Sequence, residues 1–375
     1  MNASARKFQY DINGAGHNVS EFECHSEIHV QLVPYIKEIK MSSTDSILLR
    51  GNGDFTPEQY AEVLKGDNDK HLMLALGLTT APGCNIKCVF CYSDGGMKEA
   101  GRDITGLMTL ADFEKAIKES AEIGAQSAIL VGIGETLMDK KINRIIETIH
   151  HYGMYPLVFT NGTLLTSRMV KFLHDHETTI YLSLNSVREE TYNQITQTKG
   201  FFPKVMKGID YCLDAGFGEI STRNGHQVTD FAVNTMLMKL NIDELDELDQ
   251  FCRSKNILFT CRLPEKLGMA QGFWQTFIAG TPEEEKKIKD AVAKHSLGGE
   301  VFRTEHGCLF WVAGVLLGVD GKARLCYSLN NKHDFGNIKT DSMKDIILKK
   351  NSVYPVDNLY FCPIHAEMAQ SRTKS

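Results

Sequence analysis

The stretch from residue 73 to 263 sets the tightest limit on the fold. Short apolar or β-branched runs alternate there with amphipathic helical stretches. The spacing predicts strands at Leu74–Thr79, Ala128–Gly132, Pro156–Thr160, Thr179–Leu184, Phe231–Met236 and Ile257–Arg262. It predicts helices between them at Leu110–Ile123, Lys140–Tyr152, Ser167–His176, Phe202–Ala215 and Ile242–Ser254. Strands that alternate with helices imply parallel βα units and an α/β fold. Right-handed crossovers turn such a chain into either an open doubly wound sheet or a partial barrel, and periodicity alone leaves both open. In both, chemistry belongs at the C-terminal ends of the strands.

The flanks read differently. Residues 1–72 form an N-terminal extension with a predicted strand at Phe8–Ile12, a helix at Val33–Ile39 and a helix start at Thr56-Pro57-Glu58-Gln59. This extension is expected to pack on the α/β core and cap its lower edge. Residues 264–300 read as a linker and a charged helix that starts at Thr281-Pro282. Residues 301–375 read as a small α+β domain: an apolar β-rich run Leu309–Val319, a turn at Asp320-Gly321, a partner Ala323–Tyr327 and a helix Ser342–Lys349.

Charge and hydropathy narrow the partners. Lys+Arg is 41 and Asp+Glu is 47, a net charge of −6, which gives no global reason to bind nucleic acid or an anionic membrane. No apolar run reaches the ~20 residues of a membrane span. Met1 to Lys7 lead into polar residues rather than a signal-peptide core, so a cytoplasmic address is expected. Ten cysteines in 375 residues are too sparse for a disulfide scaffold. They are core residues or ligands, and spacing has to decide.

Cys84, Cys88 and Cys91 follow the first predicted strand in a C-x3-C-x2-C loop. Three thiolates on one loop hold three irons of a [4Fe–4S] cube and leave the fourth iron open. The alternatives are three core thiols or a zinc knuckle that lacks one ligand. The loop resembles that of the radical S-adenosylmethionine (radical SAM) superfamily, C-x3-C-x-aromatic-C, with Phe90 at the aromatic position. The second strand leads into Gly132-Ile133-Gly134-Glu135-Thr136, which is similar to the Gly-Gly-Glu-Pro motif that holds the methionine amino group. Gly134 and Glu135 match it, while Ile133 and Thr136 depart from it. Thr160-Asn161-Gly162 resembles the family's Thr-Asn-Gly turn, and Ser183 and Asn185 end the fourth strand where the family places ribose- and methionine-contacting groups. Thr196 stands where relatives often carry an arginine, so the resemblance leaves Arg188 and Arg223 as candidates for the methionine carboxylate. The resemblance implies a partial (β/α)6 barrel, a [4Fe–4S] cluster, S-adenosylmethionine and an external electron donor such as flavodoxin or ferredoxin.

Cys308, Cys326 and Cys362 form a second set. Cys308 lies 13 residues before Gly321, and Cys326 follows that glycine as G-x4-C. This is similar to the SPASM and twitch extensions of the superfamily, and the shorter twitch form, with one auxiliary iron–sulfur cluster, fits the cysteine count. The fourth ligand is His365 or an open site, and a Cys3His zinc site is the rival chemistry. Of the remaining cysteines, Cys212 and Cys252 read as core, and Cys24 lacks enough neighbours for a metal site. Cys261 ends the sixth strand and is a candidate hydrogen-atom donor, with buried packing as the alternative.

The resemblance implies reductive cleavage of S-adenosylmethionine to a 5′-deoxyadenosyl radical. With one auxiliary cluster as electron acceptor, the leading expectation is dehydrogenation of a hydroxyl-bearing small molecule such as a sugar or aminocyclitol. The alternatives are an epimerase with a cysteine donor, an enzyme that modifies a precursor peptide, and a non-catalytic iron–sulfur or zinc scaffold.

Overall fold

The computed structural model describes residues 47–353 apart from 53, 67, 81–82, 94, 96–97, 100–101, 104, 296–302, 305–306 and 326–333. The strand expected at Phe8–Ile12, the helix at Val33–Ile39, Cys24, Cys326, Cys362 and His365 lie outside these residues. In chain order the principal elements are β1 (Leu48–Leu49), α1 (Pro57–Lys65), β2 (Ala75–Thr80), α2 (Leu110–Glu122), β3 (Ser127–Gly132), α3 (Ile142–His151), β4 (Tyr155–Thr160), α4 (Ser167–Asp175), β5 (Thr179–Ser183), α5 (Glu189–Thr196), α6 (Phe202–Asp214), β6 (Ser221–Arg223), β7 (His226–Thr229), β8 (Phe231–Met236), α7 (Leu245–Ser254), β9 (Leu258–Arg262), α8 (Pro282–His295), β10 (Gly314–Leu317), β11 (Ala323–Arg324) and α9 (Met343–Val353).

The main sheet runs β9-β8-β5-β4-β3-β2-β10-β11. The six strands from β9 to β2 stand side by side in chain order, and each neighbouring pair among them is parallel. A doubly wound sheet reverses its order at a switch point. This one does not. With right-handed crossovers the connecting helices then fall on one face, and the sheet curls around the other as a partial barrel. The order of the strands thus settles what periodicity left open.

Period-two alternation sorts the strand residues. Leu76, Leu78, Ala128, Leu130, Val158, Ile180, Leu182, Phe231 and Val233 share one buried cluster with the helices. Ala75, Ile129, Leu157, Tyr181 and Ala232 belong to a second cluster on the inner face. The helices supply matching stripes. In α3, Ile142, Ile145, Ile146 and Ile149 repeat at helical spacing and are all buried. Truncating one of them to Ala is expected to cost about 2–5 kcal/mol. α2 starts at a capping box: the Thr109 hydroxyl accepts from the Asp112 N–H at 3.3 Å, and the Asp112 carboxylate accepts from the Thr109 N–H at 2.7 Å.

The described part of the N-terminal extension is the barrel floor rather than a separate unit. β1 pairs in parallel with β7. Phe55, Tyr60 and Val63 join the inner-face cluster with Leu74, Ile129 and Leu157. The helix start expected at Thr56 is realised: the Thr56 hydroxyl accepts from the Gln59 N–H, and Pro57 opens α1.

The C-terminal region also corrects the expectation. Leu309–Ala313 is helical, and only Gly314–Leu317 continues as strand. β10 pairs in parallel with β2, so this part of residues 301–375 extends the barrel sheet instead of forming a domain of its own. The Asp320-Gly321 turn then leads to β11, antiparallel to β10. Gly77 of β2 makes the contact feasible, because a Cβ there would meet Leu316 Cδ1 and the Phe310 ring, each at 2.8 Å.

Candidate functional site

The loop after β2 carries Cys84, Cys88 and Cys91, all half-buried. Three segments hold it from outside. The Lys87 and Val89 N–H groups donate to the Thr196 and Ile195 carbonyls at the end of α5, both at 2.9 Å. The Glu135 N–H donates to the Gly83 carbonyl at 2.9 Å, and the Met269 N–H donates to the Cys91 carbonyl at 2.8 Å. Residues 264–280 are therefore a buttress of the loop rather than a linker. Gly268 has φ +53°, and a Cβ there would meet Tyr92 O at 2.5 Å. Val89 packs with Met238, Ala270 and Ile278, and Phe90 lies partly buried against the same cluster.

Donors also point at the sulfurs. The Gly95 N–H reaches Cys91 Sγ at 3.3 Å, and Asn161 Nδ2 reaches Cys84 Sγ at 3.7 Å. The Ser93 hydroxyl donates to the Ile133 carbonyl, so at 3.2 Å it accepts from the Cys91 thiol. Burial, then Glu135 and Cys91, push the Cys84 thiol up. Burial, then Cys91 and Cys84, push Cys88 well up. The thiols thus feel one another, and neutralising cationic irons would relieve that repulsion. Among the described residues no three His, Cys, Asp or Glu side chains converge to hold a single metal ion. A [4Fe–4S] cube requires a different arrangement, one thiolate on each of three irons. The donor set, three soft sulfurs backed by N–H groups, fits that cube.

Glu135 follows β3 and is 1% exposed. Its Oε1 accepts from the Thr160 hydroxyl at 2.5 Å and the Leu137 N–H at 3.1 Å, and its Oε2 accepts from the Asn161 N–H at 2.6 Å. A carboxylate has about four lone-pair sites, so these donors leave room for one more. Burial still raises its pKa against the pull of those donors. An ammonium group placed beside it would favour the charged form. Gly134 is obligatory, since a Cβ there would lie 1.7 Å from Gly83 O. Thr136, where the motif has proline, instead accepts from the Gly132 N–H through its hydroxyl at 2.9 Å. Asn161 completes the bridge: its Nδ2 also donates to Asn85 Oδ1 at 2.9 Å, and its Oδ1 accepts from the Thr163 N–H at 3.0 Å. Glu135, Asn161 and Cys84 therefore form one connected unit across three strand ends.

The other candidates divide. Ser183 lies on the inner face at the end of β5, and Asn185 Nδ2 donates to its Oγ at 3.4 Å. Asn185 also accepts the Met236 N–H at 2.7 Å and so clamps β5 to β8. Arg188 precedes α5, and its guanidinium is bound to Glu247 at 2.6 Å and faces Glu244 at 3.8 Å. Arg223 is a correction. It stacks on Tyr155 at 4.2 Å and pairs with buried Asp54, at the N-terminal end of β4, so it lies at the opposite end of the barrel from Cys84. Cys261 is a second correction. Its side chain belongs to the helix-side cluster with Leu248 and Cys252, away from the barrel interior. Burial pushes its thiol up to about 12. Cys308 ends a two-residue strand opposite Arg303, and its three companions lie outside the described residues.

The residues that do line the interior of β9 were missed. Thr260 and Arg262 alternate with Phe259 and Cys261, and the register places Thr260 beside Asn234 and Asn234 beside Ser183. The Thr260 hydroxyl donates to the Val233 carbonyl at 3.0 Å, so Tyr181, 2.5 Å away, donates to Thr260. Arg262 in turn hydrogen-bonds the Tyr181 oxygen. The signal was in the strand itself: Ile257, Phe259 and Cys261 are its apolar set and belong on the helix side.

Comparison with known proteins agrees with this geometry. Residues 78–252 match the model of the radical SAM superfamily. A probable GTP 3′,8-cyclase of Methanothermobacter thermautotrophicus is 26% identical over 185 residues, 49% of this chain and 55% of that protein. One from Methanococcus maripaludis is 27% identical over 215 residues, 57% of this chain and 66% of that protein. The chain thus spans about half to two thirds of the length of these curated relatives. Among solved structures, anSMEcpe with bound AdoMet superposes with a TM-score of 0.55 at 16% identity, over 75% of this chain and 82% of that one. SuiB of Streptococcus suis bound to S-adenosylmethionine gives 0.53 at 16% identity, over 89% and 79%. At such identity these two show the fold alone.

Proposed function

We propose that this chain, which belongs to the radical SAM superfamily through residues 78–252 and so uses a [4Fe–4S] cluster and S-adenosylmethionine, dehydrogenates a hydroxyl-bearing small molecule held inside its barrel. The observation that carries the site is the joining of Cys84, Asn161 and Glu135 by hydrogen bonds at the mouth of the barrel. When bound, the cofactors supply a 5′-deoxyadenosyl radical that removes a hydrogen atom, and an auxiliary cluster on Cys308, Cys326 and Cys362, with or without His365, supplies the acceptor for the remaining electron.

The protein's own residues have separate tasks. Cys84, Cys88 and Cys91 hold three irons. Glu135 takes the methionine ammonium at its remaining acceptor site. Ser183 and Asn185 face the ribose side. The interior Tyr181, Asn234, Thr260 and Arg262 give the substrate polar partners, and the guanidinium favours a substrate that carries an anionic group. An external flavodoxin or ferredoxin is the expected reductant. Among the described residues no helix is long and apolar enough to cross a membrane.

The epimerase reading loses its donor, because Cys261 faces the helices. A second reading draws on the relatives named as probable GTP 3′,8-cyclases, since Arg262 suits a phosphate group as well. The test is 5′-deoxyadenosine formation by the reduced, iron-loaded enzyme with sugars, sugar acids, sugar phosphates, aminocyclitols and GTP. Stimulation by a polyol, with a product lighter by two hydrogens, supports dehydrogenation. Stimulation by GTP alone transfers the assignment to cyclisation.

A further inference from the structure

Helix α5 touches the cysteine loop on both sides of Cys88, through Lys87 N–H to Thr196 O and Val89 N–H to Ile195 O. Tyr192, Ile195 and Thr196 share its buried face. Tyr192 is 1% exposed, and its hydroxyl has no hydrogen-bond partner among the described residues. A buried phenol without a partner is costly and calls for an explanation. Its ring is packed, 5.5 Å from the Phe202 ring, so the hydroxyl cannot swing out to water. Tyr192 lies one turn before Ile195 and Thr196 on the buried face whose end meets the cysteine loop, and its phenol can act as a donor there.

We infer that the Tyr192 hydroxyl donates a hydrogen bond to the sulfur edge of the [4Fe–4S] cluster at Cys88 and thereby sets its reduction potential. This rests on the cluster placement proposed above. Hydrogen bonds to cluster sulfurs are one of the terms that fix potential, because the reduced cluster carries the greater negative charge. Tyr192 would be a tuning residue, distinct from the iron ligands and from the Glu135 site.

The test compares the iron-loaded wild-type enzyme with Tyr192→Phe, by iron content, redox titration followed by electron paramagnetic resonance, and deuterium coupling after exchange into heavy water. A loaded wild-type protein without a [4Fe–4S] signal would remove the cluster placement itself, and with it this inference. Given that signal, Tyr192→Phe should load iron equally and show a lower potential. About ten-fold less reduced cluster at a fixed potential is expected, a shift of about 59 mV for one electron. One exchangeable deuterium coupling should vanish. An unchanged potential and an unchanged coupling would overturn the inference. If Tyr192→Phe does not load iron, replacing Tyr192 by 3-fluorotyrosine decides. Its more acidic phenol keeps the ring and should raise the potential, and no shift would overturn the inference.

Discussion

The two ends of the barrel are built on opposite principles. At the N-terminal end, Arg50 at 5.3 Å and Arg223 at 4.2 Å both lie over the Tyr155 ring, and each arginine has its own aspartate, Asp230 and Asp54. Phe55 and Tyr60 are buried in the inner-face cluster with Leu74 and Leu157. These four charges answer one another in two pairs. At the C-terminal end, three thiols share one loop, and the buried Glu135 carboxylate has no cationic partner among the described residues. The floor holds the fold. The mouth leaves a buried carboxylate unanswered by any cation of the described chain, which is a common mark of a functional site.

Substitutions can break this contrast. Asp54→Ala strands a mostly buried guanidinium and should cost about 3–5 kcal/mol of stability, read by denaturant unfolding, while the folded fraction keeps its S-adenosylmethionine affinity. An equal loss of affinity would show that the floor is not independent of the mouth. Gly134→Ala drives a Cβ into the Gly83 carbonyl and should cost about 1–3 kcal/mol together with a several-fold loss of bound iron. Glu135→Gln should weaken S-adenosylmethionine binding about 10–100-fold, as loss of a charged hydrogen bond worth about 1.5–3 kcal/mol, measured by calorimetry on iron-loaded protein.

Glu135 also sharpens the contrast through pH. Its folded pKa is raised, so its contribution to apoprotein stability is present below the ordinary carboxylate range and lost as pH rises through the raised value. Bound S-adenosylmethionine should cancel that loss. Melting temperatures across mildly acidic pH, with and without S-adenosylmethionine, check it, and parallel curves would contradict the ammonium assignment. The smallest effect belongs to Cys261→Ala, about 1 kcal/mol of stability with 5′-deoxyadenosine formation unchanged.

Legibility in the sequence followed the same division. The six strands and their helices were readable because each carries a full period of apolar residues, and Phe231–Met236 matches to the residue. Strand order was not readable, because periodicity says nothing of neighbours. The α5 helix was missed because it is eight residues long and opens at Arg188 without a side-chain cap. In the site, Cys84, Cys88 and Cys91 were marked by their spacing, and Glu135 and Asn161 by resemblance to the superfamily's motifs. Arg223 was misplaced because it lies in a β6–β7 hairpin absent from the predicted elements, one that returns the chain to the floor. Cys261 was assigned to the wrong face by one residue, and a one-residue slip on a strand exchanges interior for exterior. Tyr192 gave no signal in sequence, since its role depends on α5 meeting the cysteine loop.

The central claim is that Cys84, Cys88 and Cys91 hold the cluster at which S-adenosylmethionine is cleaved. The most direct measurement is iron content and 5′-deoxyadenosine formation after anaerobic reconstitution of wild type and of Cys84→Ala/Cys88→Ala/Cys91→Ala. Wild type should bind about seven to eight irons, and the variant about four fewer with no cleavage. Equal iron content with cleavage retained would contradict the account.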